Sequence, residues 1–286
     1  MSWSLLPTIS APMPLQMALD ELLFVSQKYE DWDPTLRFYV SSEPWISVGY
    51  SFQDSVAFEK SDLILQNPQV PVCRRVTGGG CVLHGRDLIF SLTARYAERE
   101  SPSNAFEGTV PLPSKGIGTL FEKQKLSQSQ YSPIEVQRKL GLSQLPSNKG
   151  ESKLSPLGSV RTSYAKIHEG VRMGLRSCGF DPKYYSAEDE LPKGNDCFDF
   201  PVESDLAWKG KKIAGGAQKR SEGVLLHHES ISIPPGVERD HLIRAILKGF
   251  EATFSATIEN SDLDPELYFQ AEKLTKTTDN RLRTAV

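Results

Sequence analysis

The chain has 286 residues, 38% of them hydrophobic and 24% charged, with a net charge of −3. That composition fits a globular protein of one or two domains, and the lack of a basic excess disfavours nucleic acid or an anionic membrane as partner. No stretch approaches the ~20 apolar residues that span a bilayer, Met1–Pro7 lacks the basic and apolar regions of a secretory leader, and Cys73, Cys81, Cys178 and Cys197 contain no C-x-x-C pair; a cytoplasmic protein with reduced thiols is expected.

The first helix is predicted over Pro14–Tyr29, with Met17, Leu22 and Phe24 on its apolar side and Asp20-Glu21 on the other. Leu36–Val40 alternates like a strand, and Trp45–Tyr50 reads as a second one. Between Val72 and Thr93 three strand signals are broken by Thr77-Gly78-Gly79-Gly80 and by Gly85-Arg86-Asp87. From 98 to 157 Ser, Pro, Gly, Gln and Lys dominate, which predicts a disordered or loosely packed insertion. Tyr164, Ile167, Val171, Leu175 and Cys178 then share one helical face, with Gly179 at the C-cap position. A polar loop, 193–201, precedes a hairpin whose turn is Lys209-Gly210. Gly223–Ile231 is another strand, and Leu242–Phe250 marks the last strong helix. The tail from Glu259 is polar and is expected to pack weakly. Strands cluster instead of alternating with helices, so the fold class is α+β with a mixed or antiparallel sheet.

Three segments can carry chemistry. In Arg74-Arg75-Val76-Thr77-Gly78-Gly79-Gly80-Cys81-Val82-Leu83-His84, a glycine run lets backbone amides approach a ligand, and a neighbouring arginine can hold an anion. No Gly-Lys-Ser/Thr follows, so it is not a Walker loop; the same pattern also serves as a plain turn between strands. In Gly210-Lys211-Lys212-Ile213-Ala214-Gly215-Gly216-Ala217-Gln218, alternation directs only one lysine inward, unless both are solvated. Cys197 lies in a loop between Asp196 and Asp199, two acids that by themselves raise a thiol pKa; a nearby lysine would offset them. A lone loop cysteine is otherwise inert. His227 and His228 alternate onto opposite faces of a strand, which argues against a metal shared by the two, and no metal site is expected.

Met17–Glu21, Arg37–Tyr39, Ser47–Tyr50, Arg74–His84, Gly210–Gln218 and Leu226–Ile231 stand in the order seen in the lipoate–protein ligase/octanoyltransferase family, which shares its catalytic domain with biotin protein ligases. The resemblance covers most of 14–97 and 158–256. It implies one catalytic domain over 1–286, a mixed sheet with helices packed on one side, and an acyl tunnel between the glycine loop and the lysine strand. Carried onto this chain, it implies that Arg75, Thr77, Gly78, Gly79, Gly80, His84 and His228 line the acyl and thioester or adenylate pocket. Gly215, Gly216 and Ala217 would meet the acyl end, and Lys212 matches the family's catalytic lysine. Gln16, Cys81 and Glu229 stand where the family typically has Asn, a small residue and Gly.

One branch of that family uses a cysteine in a Cys-Phe-Asp-x-Pro context before the lysine hairpin, and here that segment is Cys197-Phe198-Asp199-Phe200-Pro201. The resemblance thus implies an acyltransferase with Cys197 and Lys212 as catalytic pair. Its donor would be an octanoylated acyl carrier protein, its acceptor a lysine of a lipoyl domain or of the glycine-cleavage H protein, and no cofactor is expected. A monomer is expected on the same ground. The alternatives are an ATP- and Mg-dependent lipoate ligase that uses Lys212 without a thiol, and a non-catalytic homologue that binds acylated carriers.

Overall fold

The computed structural model describes residues 1–29, 32–51, 61–96, 157–186 and 201–282, with side chains to 276. The insertion expected over 98–157 falls outside them apart from Leu157, and so does the loop segment 193–200 with Cys197.

The described chain runs β1 (Ser2–Ala11), α1 (Met13–Tyr29), β2 (Thr35–Ser41), β3 (Trp45–Val48), α2 (Asp62–Gln66), β4 (Val72–Arg74), β5 (Cys81–His84), β6 (Asp87–Arg95), α3 (Val160–Ser177), β7 (Lys183–Tyr184), β8 (Leu206–Trp208), β9 (Lys211–Ser221), β10 (Val224–Ser232), α4 (Arg239–Phe254), β11 (Thr257–Asn260) and α5 (Pro265–Leu282). Eight strands form one sheet in the order β11-β1-β2-β6-β10-β9-β8-β7. β1 pairs in parallel with β11 and β2, and the remaining neighbours are antiparallel, so the sheet is mixed as expected. A second sheet, β4-β3-β5, carries the glycine loop between its outer strands.

Side-chain alternation along β2 decides what covers each face. Leu36 and Phe38 join Phe90 and Leu92 of β6, and against them pack Ile167, Val171 and Leu175 of α3 and Leu242, Ile246 and Phe250 of α4. Arg37 and Tyr39 turn the other way and meet Gln16 and Asp20 of α1. The sheet therefore carries helices on both faces. α3 spans the predicted helix, its first turn capped by the Ser159 hydroxyl, which accepts from the Thr162 amide at 3.2 Å. The predicted hairpin turn is present at Lys209 and Gly210, both at positive φ (51° and 72°).

The polar side read for α1 does not face solvent: Asp20 and Glu21 are both buried. The tail from Glu259, expected to pack weakly, instead supplies β11 and α5, whose Leu267, Ala271 and Leu274 bury against Leu15, Leu19 and Leu22 of α1. Spacing of i, i+4, i+7 makes a narrow stripe, easily hidden in a polar sequence. Among the described residues no helix is long and apolar enough to cross a membrane.

Candidate active site

The small sheet and the β9–β10 hairpin bound a cleft. Of the residues expected at the pocket, Arg75, His84, Gly215, Gly216, Ala217 and His228 line it. Met13, Met17, Tyr39, Val82 and Ile89 give it an apolar wall suited to an alkyl chain.

Arg75 does more for the loop than for a ligand. Its Nε and Nη2 donate to the Gly78 carbonyl at 3.1 and 2.9 Å, Nη2 also to Gly80 at 2.8 Å, and Nη1 to the Ser47 carbonyl and hydroxyl, both at 2.9 Å. The guanidinium thus clamps Gly78–Gly80 to β3. Gly49 completes the clamp: its amide donates to the Gly80 carbonyl at 3.2 Å, and a Cβ there would lie 1.9 Å from the Gly79 carbonyl oxygen. Gly49→Ala is therefore expected to displace the loop and cost about 1–3 kcal/mol of stability by overpacking. Chemical denaturation checks the stability loss, and acyl binding should weaken with it.

Two histidines are tied into buried networks. The Ser47 hydroxyl accepts from Arg75 and lies 2.7 Å from His84 Nε2, and His84 Nδ1 lies 2.7 Å from Asp87 Oδ2. Burial raises the Asp87 pKa, but His84 and the Ser230 hydroxyl outweigh it, so the carboxyl ends below the usual range. On the other side of the cleft, His228 Nδ1 lies 3.0 Å from the Thr77 hydroxyl, and Nε2 lies 3.0 Å from Asp20 Oδ2. Asp20 also receives Arg37, Tyr39 and Ser91. Burial raises its pKa, yet Arg37 and His228 hold it well below the usual carboxylate range. Thr77 and Gly78–Gly80 form the support behind the cleft wall.

Of the lysine pair, Lys211 is exposed and Lys212 is buried, as alternation requires. β9 bulges here: Ala207 pairs with Lys212 but the adjacent Leu206 pairs with Ala214, leaving Ile213 as the extra residue. Lys212 Nζ lies 2.7 Å from Asp205 Oδ2. The Tyr164 hydroxyl donates to Asp205 Oδ1 at 2.5 Å and accepts from the Gly216 amide at 3.0 Å. A phenol therefore links the ammonium's counterion to the backbone of the cleft strand. Burial and the nearby carboxylates of Glu229 and Asp205 push the Tyr164 hydroxyl far above its ordinary pKa, so it stays a donor.

A third buried cluster joins α3 to β10. His168 Nε2 and His227 Nε2 lie 2.9 and 2.8 Å from Glu229 Oε2. Burial raises the Glu229 pKa, but the two histidines override it and bring the carboxyl to about 2. Against its burial, His168 is shifted upward by Glu229, whereas burial carries His227 downward.

The described cysteines stand apart from this chemistry. Cys73 is packed under the small sheet and burial pushes its thiol up to about 12; Cys81 sits in the apolar cluster of Ile46 and Val48; Cys178 is half-buried at the end of α3. Cys197 lies outside the described residues, so its distance from Lys212 is not part of this geometry. Sequence reading passed over Asp205 and Tyr164 as hairpin and core residues and Asp20 as solvent-facing. The partners lie far apart in sequence, and only the tyrosine's place on the inner face of α3 hinted at its role.

Residues 12–111 match the model of the lipoyl protein ligase A/B catalytic domain. Curated relatives named octanoyltransferase LipM are 29% identical over 239 residues in Kyrpidia tusciae and 25% identical over 239 residues in Bacillus subtilis. Each alignment covers 80% of this chain and 65% of the relative, so the match spans less than two thirds of those proteins. Among solved structures, lipoate-protein ligase A bound with ATP superposes with a TM-score of 0.60 at 19% identity, covering 98% of this chain and 95% of that one. A bi-partite lipoate protein ligase from Thermoplasma acidophilum gives 0.59 at 18% identity, covering 98% and 93%. These structures establish the fold, and in sequence the chain is similar to the lipoyl protein ligase A/B catalytic domain over 12–111 and to the octanoyltransferase relatives over most of its length.

Proposed function

We propose that this protein is an octanoyltransferase of protein lipoylation. It takes an octanoyl group from the thioester of acyl carrier protein and delivers it to a lysine of a lipoyl domain or glycine-cleavage H protein, through a thioester on Cys197. The observation that carries the reading is the cleft itself: an apolar groove walled by Gly215–Ala217, on the same strand as a buried, ion-paired Lys212. The relatives' name supports octanoyl as the acyl group.

In the first step the Cys197 thiolate attacks the thioester carbonyl, and the carrier's thiol leaves. In the second, the acceptor lysine amine attacks the acyl-enzyme, the carbon–sulfur bond breaks, and Cys197 is regenerated. With Cys197 brought beside it, the Lys212 ammonium would favour the thiolate in a loop that otherwise holds Asp196 and Asp199. Backbone amides near Gly215, which lines the cleft, are candidates to receive the oxyanion. Both steps exchange one acyl bond for another, so neither ATP nor a metal is required.

Intact mass after incubation with octanoyl-carrier protein tests this. The wild type should gain one octanoyl group that hydroxylamine releases, and Cys197→Ala should gain none. Acylation of a lipoyl domain that requires ATP and free lipoate, and survives Cys197→Ala, would assign the ligase chemistry instead. Carrier binding without turnover would assign the non-catalytic role.

A further inference from the structure

We propose that His168, His227 and Glu229 form a site for a divalent transition-metal ion of the zinc type, distinct from the acyl-transfer pair. Alternation on β10 turns His227 and Glu229 to the same face, while His228 goes to the cleft network. The alternation that separates the two adjacent histidines therefore brings a histidine and a carboxylate together. α3 contributes His168 one turn beyond Tyr164. All three side chains are fully buried, and one donor atom from each lies within 4.8 Å of the other two.

The surroundings of the donors match those of a metal site. His168 Nδ1 bonds the Ser204 carbonyl, the usual way in which a ligating histidine is oriented with Nε2 inward. His227 Nδ1 lies 3.3 Å from Gln218 Nε2, and turning the Gln218 oxygen to the ring would give up its bonds from Ser163 and Arg220. Both Nε2 atoms converge on the same carboxylate oxygen, Oε2, while Glu229 Oε1 is buried with no hydrogen-bond partner. Two imidazoles serving only as hydrogen-bond donors could have satisfied both oxygens. A cation bound to the two nitrogens and to the carboxylate through both oxygens would satisfy every donor at once. Two imidazoles and a carboxylate suit zinc, at about 2.0–2.2 Å from each donor, so side-chain shifts of about an ångström would close the site. Space is kept by Gly216, where a Cβ would lie 2.3 Å from Glu229 Oε2 and 2.6 Å from His227 Cε1. An ion here would bolt α3 to the β9–β10 hairpin directly behind the cleft wall, a structural role.

The test uses the full chain, stripped with chelator and then offered Zn²⁺ or Co²⁺ alone. One bound ion per chain is expected after gel filtration, with Co²⁺ giving visible d–d bands of a low-coordinate site, and with a higher melting temperature in the loaded protein. His168→Gln and Glu229→Gln should each lose the bound ion and the thermal shift, whereas a substitution at exposed His241 should not. Should the core variants not fold, the wild-type measurement decides alone. Folded wild type that takes up no stoichiometric ion overturns the site, as do folded core variants that bind like the wild type. Octanoyl transfer by the metal-free protein leaves the proposal standing, because the ion is assigned no chemical step.

Discussion

Lys212→Met should lower octanoyl transfer by about 10²–10⁴-fold, the range over which a positioned acid–base or electrostatic group contributes. The same substitution should also destabilise the fold, because it leaves Asp205 buried without the ammonium 2.7 Å away. Breaking one half of a buried ion pair typically costs about 3–5 kcal/mol. The two effects separate in the double variant Lys212→Met/Asp205→Asn. Removing both charges should return most of the stability, since the introduced amide can still accept from the Tyr164 hydroxyl, but transfer should stay as low as in the single variant. Denaturant melts and single-turnover acylation of a lipoyl domain read the two quantities independently. A double variant that regains transfer together with stability would make Lys212 a structural residue only.

Asp20→Ala should be the most disruptive substitution in the core under α1. Asp20 and Arg37 are both fully buried and paired at 2.6 Å, and Tyr39, Ser91 and His228 also converge on the carboxylate. Its loss strands a buried guanidinium, again a cost of about 3–5 kcal/mol. The pH dependence has a definite sign. The folded carboxyl lies below its unfolded value of about 3.9, so its contribution is complete above that value and is lost as pH falls toward the folded pKa. Acid denaturation of the wild type should thus carry a steep component below about pH 4, and Asp20→Asn should flatten it while lowering stability at neutral pH. Equilibrium unfolding from about pH 2 to about pH 7 measures both.

Much of this molecule was legible before any coordinates. Alternation along 211–212 limited the inward-facing lysine to one, the family resemblance singled out Lys212, and the Lys209-Gly210 pair identified the hairpin that carries it. The glycine run was legible as a loop, but the role of Arg75 was not. An arginine beside glycines reads equally well as an anion holder or as a clamp, and only the five donor contacts to Ser47, Gly78 and Gly80 decide for the clamp. Asp20, Asp205 and Glu229 were illegible for a common reason. A carboxylate in a sequence looks solvated, and its burial depends on partners contributed by other elements, Arg37, Lys212 and His168. The strand Ser2–Ala11 was missed because its partners are at 35–41 and 257–260, and strand pairing of that kind leaves little local trace.

That last pairing also sets a timetable for synthesis. Ser4–Leu5 is flanked on one side by Thr35–Leu36 and on the other by Glu259–Asn260, so this strand waits for a partner made much later in synthesis. Until then one border of the nascent sheet stands open, with its amides and carbonyls available to any extended stranger. Contacts of such long sequence separation slow the closure, and the growing polypeptide is exposed to misassociation until β11 emerges.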